Sequence, residues 1–300
     1  MDGQFLAAVS RPLRIVVLGC GYVGTAFALQ AQAHGHAVVG VVRSAESCAR
    51  LQALGLDSLA CDLQAADWSP LPPACDVVVY AASSGGGGVD AYASTYDAGV
   101  RRALAWASGE GAKHFLFTSS TGVYRQDDGS VVSESSDVGG TPTAEAMLAG
   151  ERAVLTAGLP QTTVLRFGGL YGPGRHYLLD QLRRGETVIG GRVDHFINYL
   201  HRDDAAAAVL AAVERAAPGP HLYNVTDGRP VTKADLAVFL AARLGLPEPV
   251  FDAAAPAGPR LRRTGQVQPS RIVDSGLIRR ELGWQPRWSD AYEGFAAFLG

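Results

Sequence analysis

Short apolar runs rich in β-branched residues recur along the first half of the chain, each closed by glycine or by a polar segment with helical spacing. Residues 14–18 are the first such run and read as a buried strand that stops at Gly19. Val23, Phe27 and Ala31 then repeat at helical spacing over 22–34, and Gly35 supplies the stop. Residues 37–42 predict a second strand. Ser44 caps a helix that runs to Leu54. Residues 58–61, 76–82 and 114–119 predict three more strands, with a helix over about 90–108 between the last two. A helix over 143–156 leads to a sixth strand at 162–166. Strand and helix alternate without hairpin turns. That order predicts right-handed βαβ crossovers and an α/β fold with a doubly wound parallel sheet.

The texture changes after Arg166. Residues 168–191 are glycine-rich and irregular, 203–216 predict one alanine-rich helix, and 222–225 a strand. A capped amphipathic helix follows at 232–244, and proline and alanine crowd 247–259, which reads as a surface loop. The first ten residues read as a loose extension without the basic start and apolar stretch of a signal peptide. There is no internal repeat.

Composition narrows the class. The chain has 300 residues, 47% hydrophobic content and a formal net charge of -3, enough for a large core plus a smaller lobe. That balance predicts neither a nucleic-acid nor a membrane partner, and no apolar run approaches a bilayer span. Cys20, Cys48, Cys61 and Cys75 form no Cys-x-x-Cys pair, and histidine spacing completes no zinc site. They read as reduced thiols of a cytoplasmic protein, with no metal.

Gly19-Cys20-Gly21-Tyr22-Val23-Gly24 fits Gly-x-Gly-x-x-Gly between a strand and a helix, the context in which it binds a dinucleotide. The first glycine turns the chain, Gly21 lets backbone approach a pyrophosphate, and Gly24 lets helix pack on strand. The pyrophosphate would rest on free N–H groups at Tyr22 and Val23. An NAD enzyme usually carries Asp or Glu after the second strand to accept from the ribose 2′-hydroxyl. Here Val42-Arg43-Ser44 stands instead. Arg43 would pair with a 2′-phosphate and Ser44 would add a hydroxyl, so the reading is NADP, with NAD second. A solvated surface arginine is the alternative. Asp62, after the third strand, would reach the adenine edge or serve as a turn residue. Ala81, Ala82 and Ser83 end the fourth strand beside the nicotinamide half. The run Ser83 to Gly88 reads as a mobile lid or a plain flexible loop.

Several ordered segments resemble the extended short-chain dehydrogenase/reductase family, the sugar-nucleotide epimerases and dehydratases. Thr118-Ser119-Ser120-Thr121-Gly122-Val123-Tyr124 is similar to the family's Ser-Ser-x-x-Val-Tyr segment. Leu165-Arg166 through Tyr171-Gly172-Pro173-Gly174 is similar to its Leu-Arg…Tyr-Gly-Pro-Gly segment. His201-Arg202-Asp203-Asp204, Tyr223-Asn224-Val225 and Glu281-Leu282-Gly283-Trp284-Gln285-Pro286 match later signatures. The resemblance covers nearly the whole chain. It implies a Rossmann-type nucleotide domain over 11–167 and 198–226, with a C-terminal substrate lobe over 168–197 and 227–300. It also implies a small-molecule substrate, and a homodimer built on the long helices after the fourth and fifth strands. Ser120 takes the place of the family's catalytic serine or threonine, which donates to the reacting oxygen; the alternative is a strand-end serine satisfied by backbone.

The departure lies on the next helix. The family places Tyr-x-x-x-Lys there. Registering on Glu151 puts Thr143 at the tyrosine and Met147 at the lysine position. No tyrosine occurs between Tyr124 and Tyr171, and no lysine between Lys113 and Lys233, so no slip of register restores the pair. These features resemble atypical members that keep the fold and lack the dyad. Tyr124, Tyr171 and His201 are the candidates for a substitute acid, and Tyr96 falls where the family often has asparagine. A packed aromatic or a helix-start histidine is the structural alternative for each. Arg175, Arg192, Arg262 and Arg263 would suit an anionic substrate or a solvated surface. The expected activity is that of an NAD(P)-dependent oxidoreductase or epimerase/dehydratase on a small polar carbonyl or alcohol. The alternative is a catalytically silent NADP-binding sensor.

Overall fold

The computed structural model describes residues 11–255 and 269–299. Arg262 and Arg263 lie outside the described residues. The chain folds around a seven-stranded sheet whose pairs are all parallel. Its first half runs β1 (Arg14–Leu18), α1 (Tyr22–Ala33), β2 (Ala37–Val42), α2 (Ala45–Ala53), β3 (Asp57–Ala60) and β4 (Val77–Tyr80). Next come α3 (Gly88–Tyr92), α4 (Gly99–Gly109), β5 (His114–Ser120), β6 (Val131–Val132), α5 (Pro142–Leu155) and β7 (Gln161–Phe167). The remainder holds β8 (Gly169–Tyr171), α6 (Tyr177–Arg183), β9 (Val188–Gly190), β10 (Phe196–Ile197), β11 (Tyr199–His201), α7 (Arg202–Arg215) and β12 (Gly219–Val225). It closes with β13 (Val231–Thr232), α8 (Lys233–Arg243), β14 (Val250–Asp252), β15 (Ile272–Val273), α9 (Gly276–Leu282) and α10 (Ala291–Ala296).

The sheet order is β12-β7-β5-β4-β1-β2-β3. Successive strands run outward from β1 in one direction and from β4 in the other. The carboxyl ends of β1 and β4 therefore frame the topological switch point, where this architecture binds ligands. Strands β1 and β4 are apolar along their length because helices cover both faces. One face is closed by Phe27, Ala31, Val209 and Val213 from α1 and α7, the other by Val100, Ala103, Leu104 and Val154 from α4 and α5. Among the described residues no helix is long and apolar enough to cross a membrane.

Three expectations are corrected. The helix over 90–108 is interrupted by a π-helical turn at Ala93–Ala98. The Tyr80 hydroxyl donates to the Thr95 carbonyl at 2.7 Å, and a carbonyl held by a tertiary donor is drawn out of the regular i→i+4 ladder. The stretch 168–191 is not irregular throughout. It holds β8, α6 and β9, and β14, inside the expected loop, pairs with β9. The segment 227–300 is divided between two cores. Leu236, Leu240, Ala291 and Phe295 build the lobe core with Tyr171 and Leu179. Ile278, Leu282 and Trp284 pack on the sheet side with α7, where the Trp284 indole donates to the Asp204 carbonyl at 3.2 Å.

Candidate functional site

The glycine loop closes tightly over the switch point. Gly19 has φ +85°, and a Cβ there would overlap the Ala82 backbone, so loop and β4 end touch directly. The Gly19 and Cys20 amides both donate to the Val41 carbonyl, at 3.1 and 2.8 Å, which ties the loop to β2 as well. Helix α1 then starts at Gly21 with no side-chain cap and no acidic residue in its first turn. A Cβ on Gly21 would meet only the Gly19 carbonyl oxygen, at 3.9 Å, so this corner is open. A Cβ on Gly24 would lie 3.0 Å from the Gly19 oxygen and 3.1 Å from Val17 Cγ1. Gly24 thus seats the helix, whose uncapped first turn begins with Tyr22 and Val23. An uncapped helix start beside such a corner fits the pyrophosphate of a dinucleotide.

At the far end of β2, Arg43 is exposed and has no hydrogen-bond or ion-pair partner among the described residues. The Ser44 hydroxyl accepts from the Ser47 amide at 3.2 Å and donates to Ser47 Oγ at 3.1 Å, so helix capping uses it. Asp62 Oδ1 accepts from the Gln64 amide at 3.0 Å, as a turn residue does. Ala81 and Ala82 are half-buried against the glycine loop. Ser83 Oγ accepts from Gly85 N, and Ser84 N donates to Tyr96 Oη at 3.5 Å. The run Ser83 to Gly88, which reads from the sequence as a mobile lid or a plain flexible loop, is a short connection that enters α3 at Gly88.

Strand β5 alternates its last two side chains. Ser119 points inward and donates to Glu151 Oε1 at 2.5 Å. Ser120 is half-buried, and its Oγ accepts from Gly122 N at 3.0 Å, capping the 3-10 turn Thr121–Val123. An accepting hydroxyl still has its own proton to donate. The turn is fastened from outside by Arg271, buried at 5% exposure, whose Nη1 donates to the Thr121 and Tyr124 carbonyls at 3.1 and 2.5 Å. Nothing in the local sequence around Arg271 marks it, because the contact spans about 150 residues.

The structure packs all three candidate acids into the interior. The Tyr124 hydroxyl is buried; it donates to Asn224 Oδ1 at 2.7 Å and accepts from Arg166 Nη1 at 3.0 Å. It belongs to an internal network in which Arg166 grips Glu151 bidentately, with both side chains at most 4% exposed. Tyr171 is turned into the lobe core, stacked on Phe295 at 4.5 Å, with its hydroxyl against Gly294. Burial, then the neighbouring Asp227 and Asp204 carboxylates, push that phenol far up. His201 caps α7, its Nδ1 accepting from Asp203 N at 3.2 Å. Burial pushes its imidazole down to about 4, so at neutral pH it is uncharged. Arg192 pairs with Asp127 and Asp194 at 2.7 and 3.1 Å.

Helix α5 is capped by Thr141, which accepts from Ala144 N, and Pro142 opens it. Thr143 and Met147 stand one turn apart on it. Met147 is buried against Val123, with Tyr92 and Tyr96 packed on the same cluster and their rings 5.1 Å apart. A buried methionine thus stands at the position that the resemblance gives to the lysine. Tyr92 was not foreseen, although its spacing of four from Tyr96 on a helix was a readable signal.

A family model described as NAD dependent epimerase/dehydratase family matches residues 15–226. Among curated proteins, the 3-diazoavenalumate denitrifying reductase of Streptomyces sp is 34% identical over 175 residues, 55% of this chain and 56% of that protein. The chain thus matches about half the length of that relative. Protein YeeZ of Escherichia coli strain K12 is 26% identical over 287 residues, 92% of this chain and 97% of that one. The solved structure of MoeE5 in complex with UDP-glucose and NAD superposes with a TM-score of 0.80 at 23% identity, covering 95% of this chain and 97% of that one.

Proposed function

Since the chain belongs to the NAD dependent epimerase/dehydratase family, whose members bind a nicotinamide dinucleotide, we propose that it is an oxidoreductase working in the reductive direction on a small polar acceptor. One observation carries this reading: an open, uncapped helix start lies at the switch point, while Ser120 ends the strand next to β4 with a free hydroxyl proton. When bound, the nicotinamide supplies the hydride. Ser120 donates to the acceptor atom of the substrate and holds it in place. Tyr96, whose hydroxyl accepts from Ser84 N and so keeps its proton free, stands at the lip of β4 as the proton source.

The missing dyad supports reduction over epimerisation. Oxidising an alcohol needs a group that is deprotonated at neutral pH, and an adjacent ammonium is what holds a phenol in that state. Met147 supplies none. Reduction needs only a donor, which a protonated hydroxyl provides. The reductase named among the relatives points the same way. The burial of Met147 in an apolar cluster favours a second reading, a dinucleotide-binding sensor without turnover. Steady oxidation of NADPH with any carbonyl substrate, lost in Tyr96→Phe, supports the enzyme; turnover that Tyr96→Phe leaves unchanged removes Tyr96 from the mechanism.

For the cofactor we propose NADP. An exposed arginine without a protein partner, where an acid would select NAD, supports it; the NAD held by MoeE5 favours the alternative. Titration calorimetry with NADPH and NADH decides between them. We expect Arg43→Ala to weaken NADPH on the order of tenfold or more, the loss of a charge-assisted bond to phosphate, and to leave NADH unchanged. Equal binding of both cofactors by the unaltered chain would refute the NADP choice.

A further inference from the structure

We propose that Arg175 and Arg202 clamp the diphosphate of the bound dinucleotide from the lobe side, an inference that rests on the dinucleotide reading above. Tyr22 opens α1 within the glycine loop. The guanidinium carbons of Arg175 and Arg202 lie 5.5 and 5.4 Å from the centre of its ring. They arrive from different elements: Arg175 from the β8–α6 connection, Arg202 from the first position of α7. Arg202 Nε donates to Asp203 Oδ1 at 2.8 Å, whereas the Arg175 guanidinium has no hydrogen-bond or ion-pair partner among the described residues.

The β8–α6 connection is pressed onto the helix start. Gly172, at φ +140°, could not carry a side chain: its Cβ would lie 2.9 Å from Tyr22 Oη and 3.2 Å from both His201 Nε2 and Arg202 Cβ. Tyr22 Oη and His201 Nε2 are both buried there without a hydrogen-bond partner, and His201 is 2% exposed. Because His201 Nδ1 accepts from Asp203 N, its proton sits on Nε2, which is a donor without an acceptor. Two guanidiniums thus stand over the ring of the residue that opens α1, with the imidazole N–H and the phenol O–H buried beneath Gly172. Asp203 is the carboxylate beside them, and Arg202 occupies it. Two cations at an uncapped helix start suit a multiply charged anion, and the anion expected at the start of α1 is the diphosphate. Arg175 reads from the sequence as suited to an anionic substrate or a solvated surface; the clamp turns it toward the cofactor. A diphosphate held this way would bridge the glycine loop and the β8–α6 connection.

The test is binding, followed by fluorescence or calorimetry on the full chain. NADPH and NADH are the probes, and adenosine 2′-monophosphate, which carries no 5′-phosphate, is the control. We expect Arg175→Gln and Arg202→Gln each to weaken both dinucleotides about tenfold and to flatten the salt dependence of binding. Affinity for adenosine 2′-monophosphate should stay unchanged, and Arg175→Lys should restore part of the loss by keeping the charge. Hydrogen exchange should show 172–176 protected by NADPH in the unaltered chain and not in Arg175→Gln. If Arg175→Gln/Arg202→Gln binds NADPH within twofold of the unaltered chain with the same salt slope, the clamp is wrong and the dinucleotide reading stands. If the unaltered chain binds neither dinucleotide, both fall. Equal weakening of the monophosphate control would also overturn the clamp, since the arginines would then act elsewhere.

Discussion

Ser120→Ala lowers kcat/KM by a factor of about 10²–10⁴, the loss typical of a positioned catalytic group, and leaves NADPH affinity unchanged. The expectation follows from how the hydroxyl is held. Its oxygen accepts from Gly122 N at 3.0 Å, which holds the oxygen in place and leaves its proton to be donated. Arg271 holds the same turn by its Thr121 and Tyr124 carbonyls. A donor fixed in advance costs no reorganisation when charge develops on the substrate. Alanine removes the donor and one local cap, a small stability change beside the catalytic one. Steady-state kinetics on NADPH oxidation, with cofactor affinity measured separately, separates the roles. An active Ser120→Ala protein with unaltered kcat/KM would leave Ser120 as no more than a turn cap.

Glu151→Leu destabilises the fold by about 3–5 kcal/mol, because it strands a buried cation. Arg166 is 4% exposed and Glu151 2% exposed, and they meet through Nε and Nη2 at 2.6–3.2 Å. Ser119 fills a remaining site on the carboxylate, and Tyr124 accepts from the free Arg166 nitrogen. Nearly every donor and acceptor is thus satisfied, the condition under which a buried pair holds. Without the carboxylate, the guanidinium keeps its desolvation cost and loses its partner. Urea denaturation should show the midpoint fall with an unchanged slope. The double variant Glu151→Leu/Arg166→Met should recover much of the loss, since two apolar groups replace the pair without an orphaned charge. A single variant as stable as the unaltered chain, or a double variant less stable than the single, would contradict this account. The network joins β5, α5, β7 and the residue after the Ser120 turn, so its failure should also loosen the site.

The glycine loop was legible because its demands are local. Gly19 must take a positive φ, Gly21 must leave a corner open and Gly24 must admit a strand side chain, and all three sit within six residues of sequence. The aromatic candidates were not. Tyr124, Tyr171 and His201 each end or follow a strand at the expected place, yet the hydroxyl of Tyr124 belongs to Asn224, 100 residues on, and Tyr171 faces a helix near the C-terminus. Position along a strand tells which end a side chain occupies, not what stands opposite it.

By itself the sequence determined the alternation of strands and helices, the parallel sheet, the dinucleotide loop and the absence of a Tyr-x-x-x-Lys pair on α5, since periodicity, turn chemistry and residue identity are properties of neighbouring positions. Only the tertiary structure decided that 90–108 breaks into a π-helical turn, that His201 is a neutral cap, that Met147 is buried in a cluster on which Tyr92 and Tyr96 pack, and that Arg175 and Arg202 meet at Tyr22. Each of these rests on a contact between residues far apart in the chain. Burial, hydrogen-bond partners and the protonation they impose are set by what the fold brings alongside a group, and local pattern carries no record of that.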